Sequence, residues 1–125
     1  MGSAAKRKGT QGGEIPVVNW LKANGFPYAE RRLAGSHLDR GDVAGVNGVT
    51  IEVKNHVRLD LSAWLKELEI EMHNDQGWTG VVLHKKKGTK NVDEWYCTIP
   101  AIPKLIRSII KTSDRSQVRI VLPTA

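Results

Sequence analysis

The sequence predicts an α/β domain in which a mixed central β-sheet is flanked by α-helices. Three observations point there. Residues 61–74 carry apolar side chains at helical spacing, and residues 42–53 alternate around an Asn47-Gly48 turn. Residues 78–84 and 92–99 read as two further strands joined by a loop with Gly88 at its turn. The order helix, hairpin, helix, hairpin, helix, strand then calls for a layered sheet with helices packed on it.

Taken in order, residues 1–12 are rich in Gly, Ser and Lys and lack apolar periodicity, which predicts a flexible basic arm ahead of a single domain over 13–125. Residues 14–24 read as a helix: Val17, Val18 and Leu21 share a face, Pro16 falls in the first turn, and Gly25 ends it. Residues 27–33 read as extended, followed by the polar loop Ala34-Gly35-Ser36-His37. In residues 61–74, Leu61, Trp64, Leu65, Leu68 and Met72 make the apolar stripe, with Asp60 as N-cap. Lys66, Glu67, Glu69 and Glu71 are then expected on the exposed face. The alternation of Trp95, Cys97 and Ile99 predicts that Cys97 lies in the core. Ile102, Leu105, Ile106, Ile109 and Ile110 form a last helical stripe, suited to core and dimer contact, before a short strand at 118–122.

The chain has 125 residues and a formal charge of +6, with a pI near 9.7. Its length suits one domain. One cysteine excludes an intrachain disulfide and a Cys-rich zinc site. No apolar run approaches the ~20 residues that span a bilayer, and no signal segment opens the chain, so a cytoplasmic protein is expected. The positive charge is concentrated. Lys6, Arg7 and Lys8 form one group and Lys85, Lys86, Lys87 and Lys90 another, and the remainder is close to neutral. Two dense basic patches on a near-neutral body suit a polyanion such as DNA. Arg32 and Arg40, on either side of the 34–37 loop, are further candidates for DNA contact.

The residues that carry chemistry lie between Gly41 and Lys54. With Val46-Asn47-Gly48 as the loop and Gly48 left-handed, Val43 opposes Ile51 and Asp42 opposes Glu52. Alternation then sends Ile51 and Val53 to the core, and Glu52 and Lys54 together to the other face. Two carboxylates so close repel unless a cation lies between them. Lys54 supplies part of that charge. Mg²⁺ would supply more, taking Asp42, Glu52 and the Val53 carbonyl as oxygen ligands and leaving room for water and a substrate phosphate.

Asp42, Glu52-Val53-Lys54, the Ala34-Gly35-Ser36 loop and the amphipathic helix that follows resemble the PD-(D/E)xK, or restriction-endonuclease-like, nuclease superfamily. Within it the chain is most similar to the archaeal-type Holliday junction resolvases, which also occur in phages. Lys8-Gly9-Thr10-Gln11, Glu14, Gly25-Phe26 and Trp95-Tyr96 extend the resemblance over residues 8–96. It implies a restriction-endonuclease-like fold and a homodimer that makes Mg²⁺-dependent cuts in four-way DNA junctions, with Mn²⁺ able to substitute and one or two ions at each site. It further implies that Asp42 and Glu52 are metal ligands and that Lys54 orients or activates the attacking water. Glu14 would be a fourth acidic residue, with Glu30 as its rival, and Ser36 would touch the DNA backbone. Gly41 stands where the superfamily's name has proline. The alternatives are another endonuclease of the superfamily, of restriction or repair type, and a non-catalytic nucleic-acid-binding module that keeps the fold.

Overall fold

The computed structural model describes residues 8–33 and 38–100 of the chain. It shows an α/β fold built on one mixed five-stranded sheet. The chain is already helical at Lys8, inside the expected arm, passes through a π-helical turn at Thr10–Glu14 and continues as α1 (Ile15–Ala23). Pro16 has no N–H to give to the carbonyl four residues earlier, and the ladder there widens to i→i−5 spacing, with the Ile15 N–H donating to Thr10 O. Gly13 lets this turn press on β3, since a Cβ there would stand 3.2 Å from Val53 Cγ1.

The sheet runs β1 (Glu30–Arg31), β2 (Val43–Ala44), β3 (Val49–Lys54), β4 (Thr79–His84) and β5 (Tyr96–Thr98), neighbours in that order. β1–β2, β2–β3 and β4–β5 are antiparallel, while β3 and β4 are parallel. A parallel pair needs a crossover, and α2 (Leu61–Asp75) provides it. Val43 pairs with Ile51 and Gly48 has φ +80°, the register and turn that the alternation requires. Asp60 caps α2, its side chain accepting from the Ala63 N–H.

Both faces of the sheet are covered. Val17, Val18 and Leu21 of α1 join Ala29, Val43, Ile51, Val53 and Trp95 on one side, while Trp64 and Leu68 of α2 pack on Val82 on the other. Glu52, on the face opposite Ile51 and Val53, lies under α2 and is only 4% exposed. Three expectations need correction. The inward stripe of α2 is rotated, so Leu61 is exposed and Glu71 is fully buried. Strand 92–99 is shorter, because Val92–Glu94 forms a 3₁₀ turn and only Tyr96–Thr98 pairs. Cys97 is exposed, since no described element covers that face of the short edge strand β5.

The expected stripe at 102–110, the strand at 118–122, Lys6, Arg7 and Ser36 lie outside the described residues. No helix among the described residues is long and apolar enough to cross a membrane.

Candidate active site

β2 begins at Val43, and Asp42 extends its pairing with β3 by one residue. The Asp42 N–H donates to Ile51 O at 2.8 Å, and its Oδ2 accepts from the Val53 N–H at 2.8 Å. These two bonds hold Asp42 against β3 and bring its carboxyl to that of Glu52. The N–H and C=O of one strand residue point to the same edge, so the Val53 carbonyl also faces the Asp42 side. The Lys54 carbonyl points the opposite way and accepts from the Lys85 N–H.

Lys54 leaves the same face as Glu52. Its Nζ is 3.7 Å from Glu52 Oε1 and 2.9 Å from Glu67 Oε2 on α2. Glu14 stands at the start of α1 and bonds Arg31 through Oε1 at 3.1 Å. Its charge is felt together with that of Asp42. Glu30 is exposed on the edge strand β1. The structure therefore brings Glu14, Asp42, Glu52 and Lys54 into one neighbourhood and leaves Glu30 facing solvent.

Crowding of carboxyls shows in their protonation. Burial raises Asp42 to about 8, the Glu52 carboxyl adding to the rise, against the pull of the Val53 N–H and Lys54. Burial raises Glu52 to about 9, with Glu71 adding to it. Burial also raises Glu14, and the charge of Asp42 adds to that. For Lys54, burial works against the charged form, but Glu67, Glu52 and Asp42 outweigh it and leave the pKa raised. Acidic groups pushed this far hold protons until a cation replaces them. The donor set is oxygen only, which suits Mg²⁺ or Mn²⁺ and not a soft metal. On these grounds Asp42, Glu52, Glu14 and the Val53 carbonyl fit a hard divalent ion.

Sequence reasoning missed Glu71 and Glu67 by placing them on an exposed face. Glu71 is seven residues after Trp64 and three after Leu68, so it belongs to the stripe those two define. A charged residue at a stripe position was the signal.

The basic residues divide. Lys8, Lys85, Lys86 and Lys87 line one cleft with Asn55, His56, Val57, Leu59, Gly88 and Tyr96, of about 540 Å³. Lys8 of the first basic group thus meets Lys85, Lys86 and Lys87 of the second in space, and Asn55 Nδ2 donates to Lys8 O at 3.1 Å. Asn55, which lines this cleft, directly follows Lys54 of the acidic site in the chain. Lys85 also lies over the Trp95 ring at 5.9 Å. Lys90 and Arg40 are exposed. Arg32, expected to contact DNA, instead pairs with Asp75 at 2.7 Å, and Asp75 in turn accepts from the buried Thr50 hydroxyl. Arg32 therefore fastens the end of β1 to the end of α2.

His84, which the sequence did not single out, is buried between the rings of Trp64 and Tyr96, with Nε2 2.8 Å from Thr98 Oγ1. Burial lowers its pKa. Tyr96, against which it stacks, lines the basic cleft, so the ring supports one wall of that cleft.

Comparison of the chain with protein-family models, with curated proteins and with solved structures finds no match.

Proposed function

We propose that this chain is a divalent-metal-dependent endonuclease with a restriction-endonuclease-like fold, which hydrolyses phosphodiester bonds in branched DNA as a Holliday junction resolvase. The observation that carries the reading is the pair Asp42 and Glu52, joined across the end of the β2–β3 hairpin beside Lys54, with a lysine-lined cleft that includes the next residue, Asn55.

Asp42 and Glu52, with Glu14 and the Val53 carbonyl, would hold Mg²⁺ or Mn²⁺. The ion supplies Lewis-acid stabilisation of charge on the phosphate and lowers the pKa of water. The chain's own groups do the rest. Lys54, kept cationic by Glu67 and Glu52, orients the attacking water and offsets negative charge gathering at the phosphate. Lys8, Lys85, Lys86 and Lys87 draw the backbone into the cleft and set which phosphate meets Lys54. They grip phosphates and carry no base readout, which favours recognition of DNA shape over sequence. Two symmetric cuts call for two copies of the site, supplied by a homodimer. The choice of a four-way junction rests on the resemblance of residues 8–96 to the resolvases.

The test is cleavage of a labelled four-way junction beside linear duplex of matching sequence, with Mg²⁺ or EDTA, by wild type and Asp42→Ala. Paired nicks on the junction alone, lost in EDTA and in the variant, are expected. Cutting of both substrates would remove junction specificity and keep the nuclease. Binding without metal-dependent cutting would replace it with a DNA-binding module.

A further inference from the structure

Tyr96 and His56 both line the lysine cleft, and they are the two ends of one chain of rings. Between ring centres, His56 lies 5.7 Å from Trp64, Trp64 5.6 Å from His84, and His84 5.4 Å from Tyr96. The inner members, Trp64 and His84, are buried, and Thr98 Oγ1 fixes His84 through Nε2 at 2.8 Å. Tyr96 is thus backed by a fixed ring, yet it stays 50% exposed in the cleft. Val57 and Leu59 add apolar surface there, at 89% and 65% exposed.

A duplex backbone asks a cleft for cations and polar donors. It has no use for exposed rings and aliphatic groups, because its base faces are stacked inside the helix. Unpaired bases do show those faces, and a base on an aromatic ring gains stacking whatever its sequence. Lys8, Lys85, Lys86 and Lys87 supply the charge that complements the phosphates of such a strand. The same lysines argue against a second copy of this surface as the occupant, since the two would meet with like charge.

Strand register relates this cleft to the acidic site. Lys54 on β3 pairs with His84 on β4, and His84 pairs with Tyr96 on β5. With strands about 5 Å apart, the backbone of Tyr96 is about 10 Å from that of Lys54. About three stacked nucleotides cover that distance, at a rise of about 3.4 Å each.

We propose that the cleft holds unpaired nucleotides of a DNA strand, with one base stacked on Tyr96 and the lysines on the flanking phosphates. Its purpose rests on the nuclease reading, in which it holds a strand opened at a branch point a few nucleotides from the phosphate to be cut; the binding itself does not.

Binding of the full chain to a labelled oligo-dT and to a duplex of equal length, followed by anisotropy in EDTA, is the test. Tyr96→Leu should weaken single-strand binding about 5- to 150-fold, the range for loss of one base–aromatic stack, and leave duplex binding nearly unchanged. Tyr96→Phe keeps the ring and should bind the single strand like wild type. A 2-aminopurine placed in the oligonucleotide should lose fluorescence on wild type and Tyr96→Phe, and keep it on Tyr96→Leu. Equal loss of affinity for both substrates would recast Tyr96 as a support of the cleft and overturn the stack. Unchanged single-strand binding by Tyr96→Leu would overturn it too, and with the junction still cut would leave the nuclease reading intact. The same unchanged binding with a loss of dimer mass in sedimentation would assign the cleft to self-association instead. Tyr96-dependent binding with no metal-dependent cut would support the stack and overturn the nuclease reading alone.

Discussion

Asp42 Oδ2 and the Val53 N–H are joined at 2.8 Å, so a side chain continues the β2–β3 ladder one step beyond the backbone pairing. The bond occupies one carboxylate oxygen and directs the group at Glu52. Replacement of Asp42 therefore has two separable effects. Asp42→Asn keeps an acceptor for Val53 and removes a charge that burial disfavours, so in EDTA at pH 8–9 it should be at least as stable as wild type. Asp42→Ala orphans the Val53 N–H and should be less stable than Asp42→Asn by about 1–3 kcal/mol. Both should abolish metal-dependent cleavage. Urea melts of the two variants check the order of stability, and equal stabilities would show that the bond contributes nothing.

The raised carboxyls also set a pH dependence. In the unfolded chain Asp42 and Glu52 titrate near 4, whereas folded they titrate near 8 and 9. The folded state thus binds more protons across that window. Metal-free stability should be greatest near pH 4 and should fall as pH rises through 8 and 9. Mg²⁺ binds the ionised form, so its stabilising effect should grow with pH. Melting temperatures at pH 5, 7 and 9, with EDTA and with Mg²⁺, test this. The metal-free decline should be shallower in Glu52→Gln, and an identical slope would sink the assignment.

The hairpin and its register were legible in the sequence because alternation and Asn47-Gly48 admit one pairing that sorts the side chains. The amphipathic α2 was legible too, but not its rotation: Met72 and Leu61 pulled the apparent stripe away from Glu71. Periodicity ranks apolar residues and has no way to recognise a buried acid as a stripe member. The meeting of Lys8 with Lys85–Lys87 was invisible as well, since it depends on β4 lying beside β3 and on a turn at 8–14 packed over Val53 and Asn55. Trp95 and Cys97 share a strand parity, yet only the first joins the core under α1.

Lys54 is held by Glu67 and Glu52 and does not lie in the basic cleft. Lys54→Met should therefore lower cleavage about 10²–10³-fold, the range for removal of one preorganised group that stabilises developing charge. Affinity for DNA in Ca²⁺ should change little. A parallel fall in binding and cutting would recast Lys54 as an anchoring residue.

The cleft residues should behave in the opposite way. Lys86 and Lys87 are exposed and line it beside Lys8. Lys86→Ala/Lys87→Ala should weaken DNA binding and flatten the plot of log K against log salt by about 0.9 for each phosphate the lysines no longer neutralise. Cleavage under saturating enzyme should survive. Fluorescence anisotropy across a salt series gives the slope, and an unchanged slope would remove the cleft from the DNA path.

Gly41 tests how the site is held. Its φ is +93°, and a Cβ there would come 2.8 Å from Ile51 O and 3.2 Å from Thr50 Cγ2. Ile51 O is the acceptor of the Asp42 N–H, so the crowded atom is one that positions the candidate ligand. Gly41→Ala should cost about 1–3 kcal/mol for the strained backbone, and more where the carbonyl must shift. Proline, the residue in the superfamily's name, fixes φ near −65°. Gly41→Pro should thus be worse than Gly41→Ala at this position, and should displace Asp42 from Val53. Thermal melts give the order of stability, and Mn²⁺ uptake reports on the Asp42 site. A Gly41→Pro chain that melts like wild type and still binds its ions would show that the Gly41–Asp42 backbone is not what holds the carboxylate in place.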